Sequence, residues 1–250
     1  MTDLRTHRLS TDVELVYHEL GEGRPVVLLH GFLAGSRELW VRSGIAERLA
    51  ADGRRVLMPD FRGHGDSASP HDAAAYPRDV LATDTRAVLD HLALEDYDLV
   101  GYSLGGRIAA RLLALGAATP RRAVIGGTGL EPIVHASLRG DGHRRFLKSF
   151  GTFAPGSPEA QNEAYAASIG ADPVALLHVL DRFADTPIEA LNRITVPTLV
   201  LGGDDDAGRG SFSELAAAIP GGQLRMIRGD HLSAFLSPAF SDALAAFLAP

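Results

Sequence analysis

The sequence contains no cysteine, which excludes a disulfide framework, a thiolate metal site and a thiol nucleophile. Any covalent chemistry has to come from another side chain. Positive charge is also in short supply: 24 Lys and Arg stand against 31 Asp and Glu, a net charge of -7. A large phosphate-binding surface needs clustered Lys and Arg to displace counterions, so nucleic acid is not an expected partner. No apolar run approaches the ~20 residues of a membrane-spanning helix. Met1 to Ser10 is polar and charged, unlike a secretory signal, and a cytoplasmic protein is expected. Internal repeats are absent, as are low-complexity tracts beyond alanine-rich helix.

What is present has the balance of a soluble enzyme, 46% hydrophobic and 22% charged, and 250 residues suffice for one sizeable core. A single domain over 1–250 is expected. Short aliphatic runs alternate with longer helical patterns, the signature of a mostly parallel sheet wrapped by helices. The expected strands are Val13 to Leu20, Val26 to His30, Arg55 to Pro59, Asp98 to Tyr102, Ala123 to Gly126, Thr198 to Gly202 and Gln223 to Ile227. Helices are expected at Leu39 to Ala51, Pro77 to Leu92, Leu104 to Leu115, Ser211 to Ile219 and Ala239 to Leu248. The stretch 128–192 interrupts the alternation. It is basic from Arg139 to Lys148 and then broken by Gly and Pro, so it reads as a small helical insertion over the sheet.

Within Leu99-Val100-Gly101-Tyr102-Ser103-Leu104-Gly105-Gly106, a serine lies between an apolar strand and a helix that begins at once. So sharp a turn needs glycine two residues before and two after the serine, because a Cβ would strike the reversing backbone. Gly101 and Gly105 meet that need, and Gly106 lets the helix lie close to the strand. At the helix N-terminus the amide of Leu104 favours a developing negative charge. Phe32, in His30-Gly31-Phe32 directly after a strand, is the expected second donor of an oxyanion hole. His30 itself reads as a turn residue bonded to backbone, and His64 as scaffolding of the loop Asp60 to Ser67.

A serine hydroxyl needs a base, and imidazole is the side chain best matched to neutral pH. Among ten histidines, His231 is the expected base, because Arg228 to Leu232 follows the last strand at the carboxyl edge where Ser103 sits. The acid that orients it is expected at Asp206, with Asp205 in reserve and Glu131, one strand earlier, as a more distant alternative. Asp204 and Asp205 otherwise read as a solvated, helix-capping pair.

Taken in order, His30-Gly31-Phe32, Asp60 to Ser67, Gly101 to Gly105, Gly203 to Asp206 and Gly229 to His231 resemble the landmarks of the α/β-hydrolase superfamily. The resemblance spans nearly the whole chain. It implies a central, mostly parallel sheet flanked by helices with 128–192 as a short cap. It further implies Ser103, Asp206 and His231 as a triad, and amides of Phe32 and Leu104 as oxyanion donors. The fold hosts many reactions on one triad. Cleavage of a carboxylic ester, thioester or lactone of a small molecule through an acyl-enzyme is expected first, with no metal or organic cofactor. Phe146, Phe150, Phe153 and Tyr165 are candidates for an acyl pocket, or equally for helix core.

Two other readings remain. Gly101 to Arg107 is similar to the menaquinone-pathway synthases, a resemblance that implies a carboxylate-binding role for Arg107, with Arg139, Arg144 or Arg145. The single tryptophan, Trp40, lies outside the insertion, unlike the aromatic cap pattern of those synthases. A non-catalytic ligand-binding homologue is the third reading.

Overall fold

A computed structural model describes residues 3–249. Eight strands form one sheet: β1 (Arg5–Ser10), β2 (Glu14–Leu20), β3 (Arg24–Leu29), β4 (Arg54–Pro59), β5 (Asp98–Tyr102), β6 (Arg122–Gly126), β7 (Thr198–Gly203) and β8 (Gln223–Ile227). Their spatial order is β1-β2-β4-β3-β5-β6-β7-β8. β1 and β2 are antiparallel to their neighbours, and every pairing from β4 to β8 is parallel. β1 was not expected. Its sequence, RTHRLS, lacks apolar alternation because it is a half-exposed edge, registered on β2 through pairs such as His7 with Tyr17 and Leu9 with Leu15.

Helices cover both faces. α1 (Ile45–Ala51), α2 (Val80–Leu92) and α3 (Leu104–Ala114) precede β6. Five short helices, α4 (Glu131–Val134), α5 (Asp141–Lys148), α6 (Pro158–Ser168), α7 (Pro173–Leu180) and α8 (Ile188–Leu191), lie between β6 and β7. α9 (Phe212–Ala218), α10 (His231–Phe235) and α11 (Pro238–Leu248) complete the fold. Alternate strand residues serve the two layers, as the period of two requires. Val27, Leu29, Leu57 and Leu99 pack with α2 and α3, whereas Val26, Leu28, Val56, Met58 and Val100 pack with α1 and α11.

Two expected helices and one expected loop differ from what is observed. Leu39 to Ala51 is divided into a turn at Arg37–Val41 and α1, because Gly44 adopts φ 76° between them. α2 starts at Val80 rather than Pro77, since Asp79 takes a left-handed φ of 65° and pairs with Arg111 at 2.9 Å. The expected loop around His231 is instead α10. Asp230 caps it, accepting from the amides of Leu232 and Ser233, while the Ser233 hydroxyl accepts from the Asp230 amide.

Candidate active site

The parallel strands bring four loops to one edge of the sheet, those after β3, β5, β7 and β8. Ser103 occupies the bend between β5 and α3 with φ 56° and ψ -112°, a strained backbone for a residue with a Cβ. The flanking glycines are obligatory on contact grounds. A Cβ on Gly101 would lie 2.1 Å from the Gly105 carbonyl oxygen, and one on Gly105 would lie 2.0 Å from that of Leu29. On Gly106 it would meet the Gly126 oxygen at 2.7 Å, so the helix rests directly on β6. The amides of Phe32 and Leu104 have no hydrogen-bond acceptor among the described residues.

His231 opens α10, and its Nδ1 donates to Asp206 Oδ2 at 2.7 Å. Asp206 is buried, whereas Asp204 and Asp205 are exposed. Asp204 accepts from the Gly229 amide at 2.8 Å, which closes the loop rather than capping a helix. Glu131 lies elsewhere, accepting from the Ser211 amide at 2.7 Å. Burial, followed by the nearby Arg209 guanidinium, holds the His231 imidazole below its usual pKa. Tyr102, the residue before Ser103, packs its ring 5.0 Å from that of His231 and donates its hydroxyl to the His231 carbonyl. Burial pushes the Tyr102 phenol upward, so it stays a donor. One strand end therefore carries Ser103 and anchors the backbone of His231. No hydrogen bond joins their side chains, but both line a single cavity of about 440 Å³ together with Phe32 and Leu104.

His30 and His64 behave as turn residues. His30 is fully buried, with Nδ1 donating to the Gly31 carbonyl at 2.7 Å and Nε2 accepting from the Phe61 amide at 2.9 Å. His64 donates from Nδ1 to the Arg62 carbonyl, and burial drives its pKa down to about 3.

Phe146, Phe150 and Phe153 do not line the cavity; they pack on one another, and Tyr165 is 55% exposed. Their apolar spacing served the packing of α5 and its following turn. Phe32, Phe183, Leu180 and Phe235 line the cavity instead. Arg107 and Arg139 reach it, whereas Arg144 is turned to Asp181 and the Leu180 carbonyl and Arg145 lies outside it. Three polar lining residues also escaped the sequence reading: Thr128, His143 and Arg209. Arg209 sits three residues beyond Asp206, 3.7 Å from its Oδ1, so proximity to the acid was the available signal. His143 was hidden within a basic helix, and only tertiary placement distinguishes it from its neighbours.

The sequence model of the alpha/beta hydrolase fold matches residues 24–156, more than half of the chain. The chain belongs to the alpha/beta hydrolase fold family. The chain is 28% identical over 253 residues to a putative non-heme chloroperoxidase of Synechocystis sp., covering 88% of each chain. It is 39% identical over 111 residues to the 2-hydroxymuconate semialdehyde hydrolase of Pseudomonas sp., covering 44% of this chain and 38% of the relative. For that relative and for an AB hydrolase superfamily protein of Bacillus subtilis, the match spans only about two fifths of the relative's length. Among solved structures, an esterase from Rhodococcus sp. superposes with TM-score 0.71 at 26% identity over 98% of both chains. Among the described residues, no helix is long and apolar enough to cross a membrane.

Proposed function

We propose that this hydrolase cleaves a carboxylic ester, or a thioester or lactone, of a small molecule through an acyl-enzyme on Ser103. The observation that carries the reading is the 2.7 Å bond from His231 Nδ1 to buried Asp206, on the cavity that Ser103 also lines. With its Nδ1 proton committed to the carboxylate, the imidazole has its lone pair on Nε2, the tautomer a general base requires.

In this mechanism Nε2 removes the Ser103 proton as Oγ attacks the acyl carbonyl. The oxyanion so formed accepts from the amides of Phe32 and Leu104, which have no other acceptor. The imidazolium passes its proton to the leaving alkoxide, and water repeats the sequence on the acyl-enzyme. Asp206 stabilises the transient imidazolium against the burial that otherwise disfavours it. Helices α4 to α8 act as a cap over a single domain; Pro132, His143, Leu180 and Phe183 from that segment complete the cavity wall. The Rhodococcus protein named an esterase, alike over nearly its full length, supports the ester assignment.

The test is a fluorophosphonate probe together with short-chain p-nitrophenyl esters. Labelling of Ser103 and turnover abolished in Ser103→Ala are expected. Labelling without turnover of esters, thioesters or lactones would overturn the hydrolytic reading in favour of a lyase or a binding protein.

A further inference from the structure

Two imidazoles fasten the insertion to the core, and a third faces the cavity with nothing to hold. His71 Nε2 donates to Asp172 at 2.7 Å, and His178 Nε2 donates to the His71 carbonyl at 3.0 Å. His143, on α5, lines the cavity, and neither of its ring nitrogens has a hydrogen-bond partner among the described residues. Its ring is half-buried and meets the Phe32 ring edge-on, with centroids 4.9 Å apart and planes at 77°. That contact sets the imidazole over the loop whose amide serves the proposed oxyanion hole.

Burial, followed by Arg209, Arg107 and His231, holds the His143 pKa below its ordinary value, so the ring is uncharged at neutral pH. Arg139, Gly140, Gly142 and His143 are what α5 and its leading turn bring to the cavity, and only His143 among them has an uncharged side chain that can hydrogen-bond. A neutral imidazole offers one donor and one acceptor nitrogen, the complement of a hydroxyl. Apolar walls at Phe32, Leu180 and Phe183 exclude competing water and strengthen such a bond.

The surroundings of the ring indicate which half of a substrate it meets. After burial, Arg209 is the strongest influence lowering the pKa of both His143 and His231. Arg209 itself stands 3.7 Å from Asp206 Oδ1. The two imidazoles therefore share the side of the cavity on which a proton is returned to the leaving group.

We infer that His143 hydrogen-bonds an uncharged oxygen, a hydroxyl above all, on the alcohol half of the substrate, so that partial esters of diols and triols are preferred to esters of simple alkanols. The assignment to the alcohol half rests on the proposed hydrolytic mechanism.

The direct experiment compares 3-hydroxypropyl butyrate with butyl butyrate, which differ by a hydroxyl in place of a methyl group. The parent is expected to hydrolyse the first with a kcat/KM about 3- to 10-fold higher, the scale of one neutral hydrogen bond, with the difference lying mainly in KM. His143→Phe keeps a ring against Phe32 and removes both nitrogens, and should bring the ratio near unity. His143→Gln, which restores a donor and an acceptor, should recover part of the preference. A merely structural His143 would slow both esters alike and leave their ratio unchanged. That result, or equal turnover of the two esters by the parent, would overturn the inference. A hydroxyl preference confined to the acyl half, read with butyl 3-hydroxybutyrate against butyl 3-methylbutyrate, would refute the assignment to the alcohol. Calorimetry on Ser103→Ala protein separates the contact from the chemistry. Tighter binding of 3-hydroxypropyl butyrate there, with no turnover of either ester by the parent, would sustain the contact and defeat the hydrolytic mechanism. Turnover of both esters at equal efficiency would do the reverse.

Discussion

Arg62, in the loop after β4, and Arg107, on α3 beside the cavity, are two arginines drawn away from solvent, and among the described residues only the first has a carboxylate partner. Arg62 is forked by Asp84 at 2.8 and 2.9 Å and by Asp12 at 2.8 and 2.9 Å, with the Ala75 carbonyl as a further acceptor. Burial works against its charge, but the bonds to Asp12 and Asp84 carry its pKa above the usual value. The same loop satisfies Asp60, which accepts from His18 and from the amides of Ser36 and Asp66. Although burial opposes ionisation, those bonds hold it at about 2. Paired charge fixes the scaffold, whereas Arg107 keeps its Nε unpartnered on the cavity wall. The loop Asp60 to Ser67 and the cavity are therefore polar for opposite reasons.

The largest expected effect separates the two regions by function. Asp206→Asn should lower kcat by about ten-thousandfold on a p-nitrophenyl ester, because the amide favours the wrong imidazole tautomer, while the thermal midpoint moves little. Arg62→Met should do the opposite. Removing the guanidinium strands the buried Asp84 carboxylate and should lower unfolding free energy by about 3–5 kcal/mol in urea titration, with kcat of the folded fraction retained. A collapse of kcat at unchanged stability in Arg62→Met would erase the distinction.

Next in size is a pH effect confined to the scaffold. His64 has a folded pKa of about 3, well below its ordinary 6.5. The unfolded chain thus takes up a proton below pH 6.5 that the folded chain refuses until near pH 3. Stability is fully present above 6.5 and is lost as pH falls through that window, at up to about 1.4 kcal/mol per pH unit. Urea midpoints at pH 4.5 and 7.5 should differ less in His64→Leu than in the parent; an equal difference in both would show that His64 is not the group responsible. The smallest effect lies in the cavity. Arg209 depresses the His231 pKa, so Arg209→Gln should move the acid limb of kcat/KM upward, by less than about one pH unit. A downward move would contradict the placement of that charge.

The same division explains what the sequence disclosed. The bend at Ser103 was legible because Gly101, Gly105 and Gly106 answer a local steric demand, and each would place a Cβ within 2.7 Å of backbone. The core strands were legible because burial on both faces leaves unbroken runs such as Val26 to Leu29. β1 was not, since an edge strand with one wet face can be written in Arg, Thr and His. The His231 to Asp206 contact followed from placing both after strands of a parallel sheet, although choosing Asp206 over Asp205 needed the reach of the loop. The aromatic spacing in 146–153 left pocket lining and helix core both open, because it reports only that side chains are packed; the structure shows the packing. The spacing carries no record of which partner they meet, and the cavity wall came from Phe32, Phe183 and Phe235, distant in sequence.

The proposed mechanism passes through a covalent acyl group on Ser103, which can be trapped. The protein would be mixed with p-nitrophenyl butyrate, quenched in acid during the first turnover and digested for mass spectrometry. A butyryl group on the peptide carrying Ser103, absent from Ser103→Ala, is the expected result. A butyryl group on any other residue, or undiminished turnover by Ser103→Ala, would contradict the mechanism.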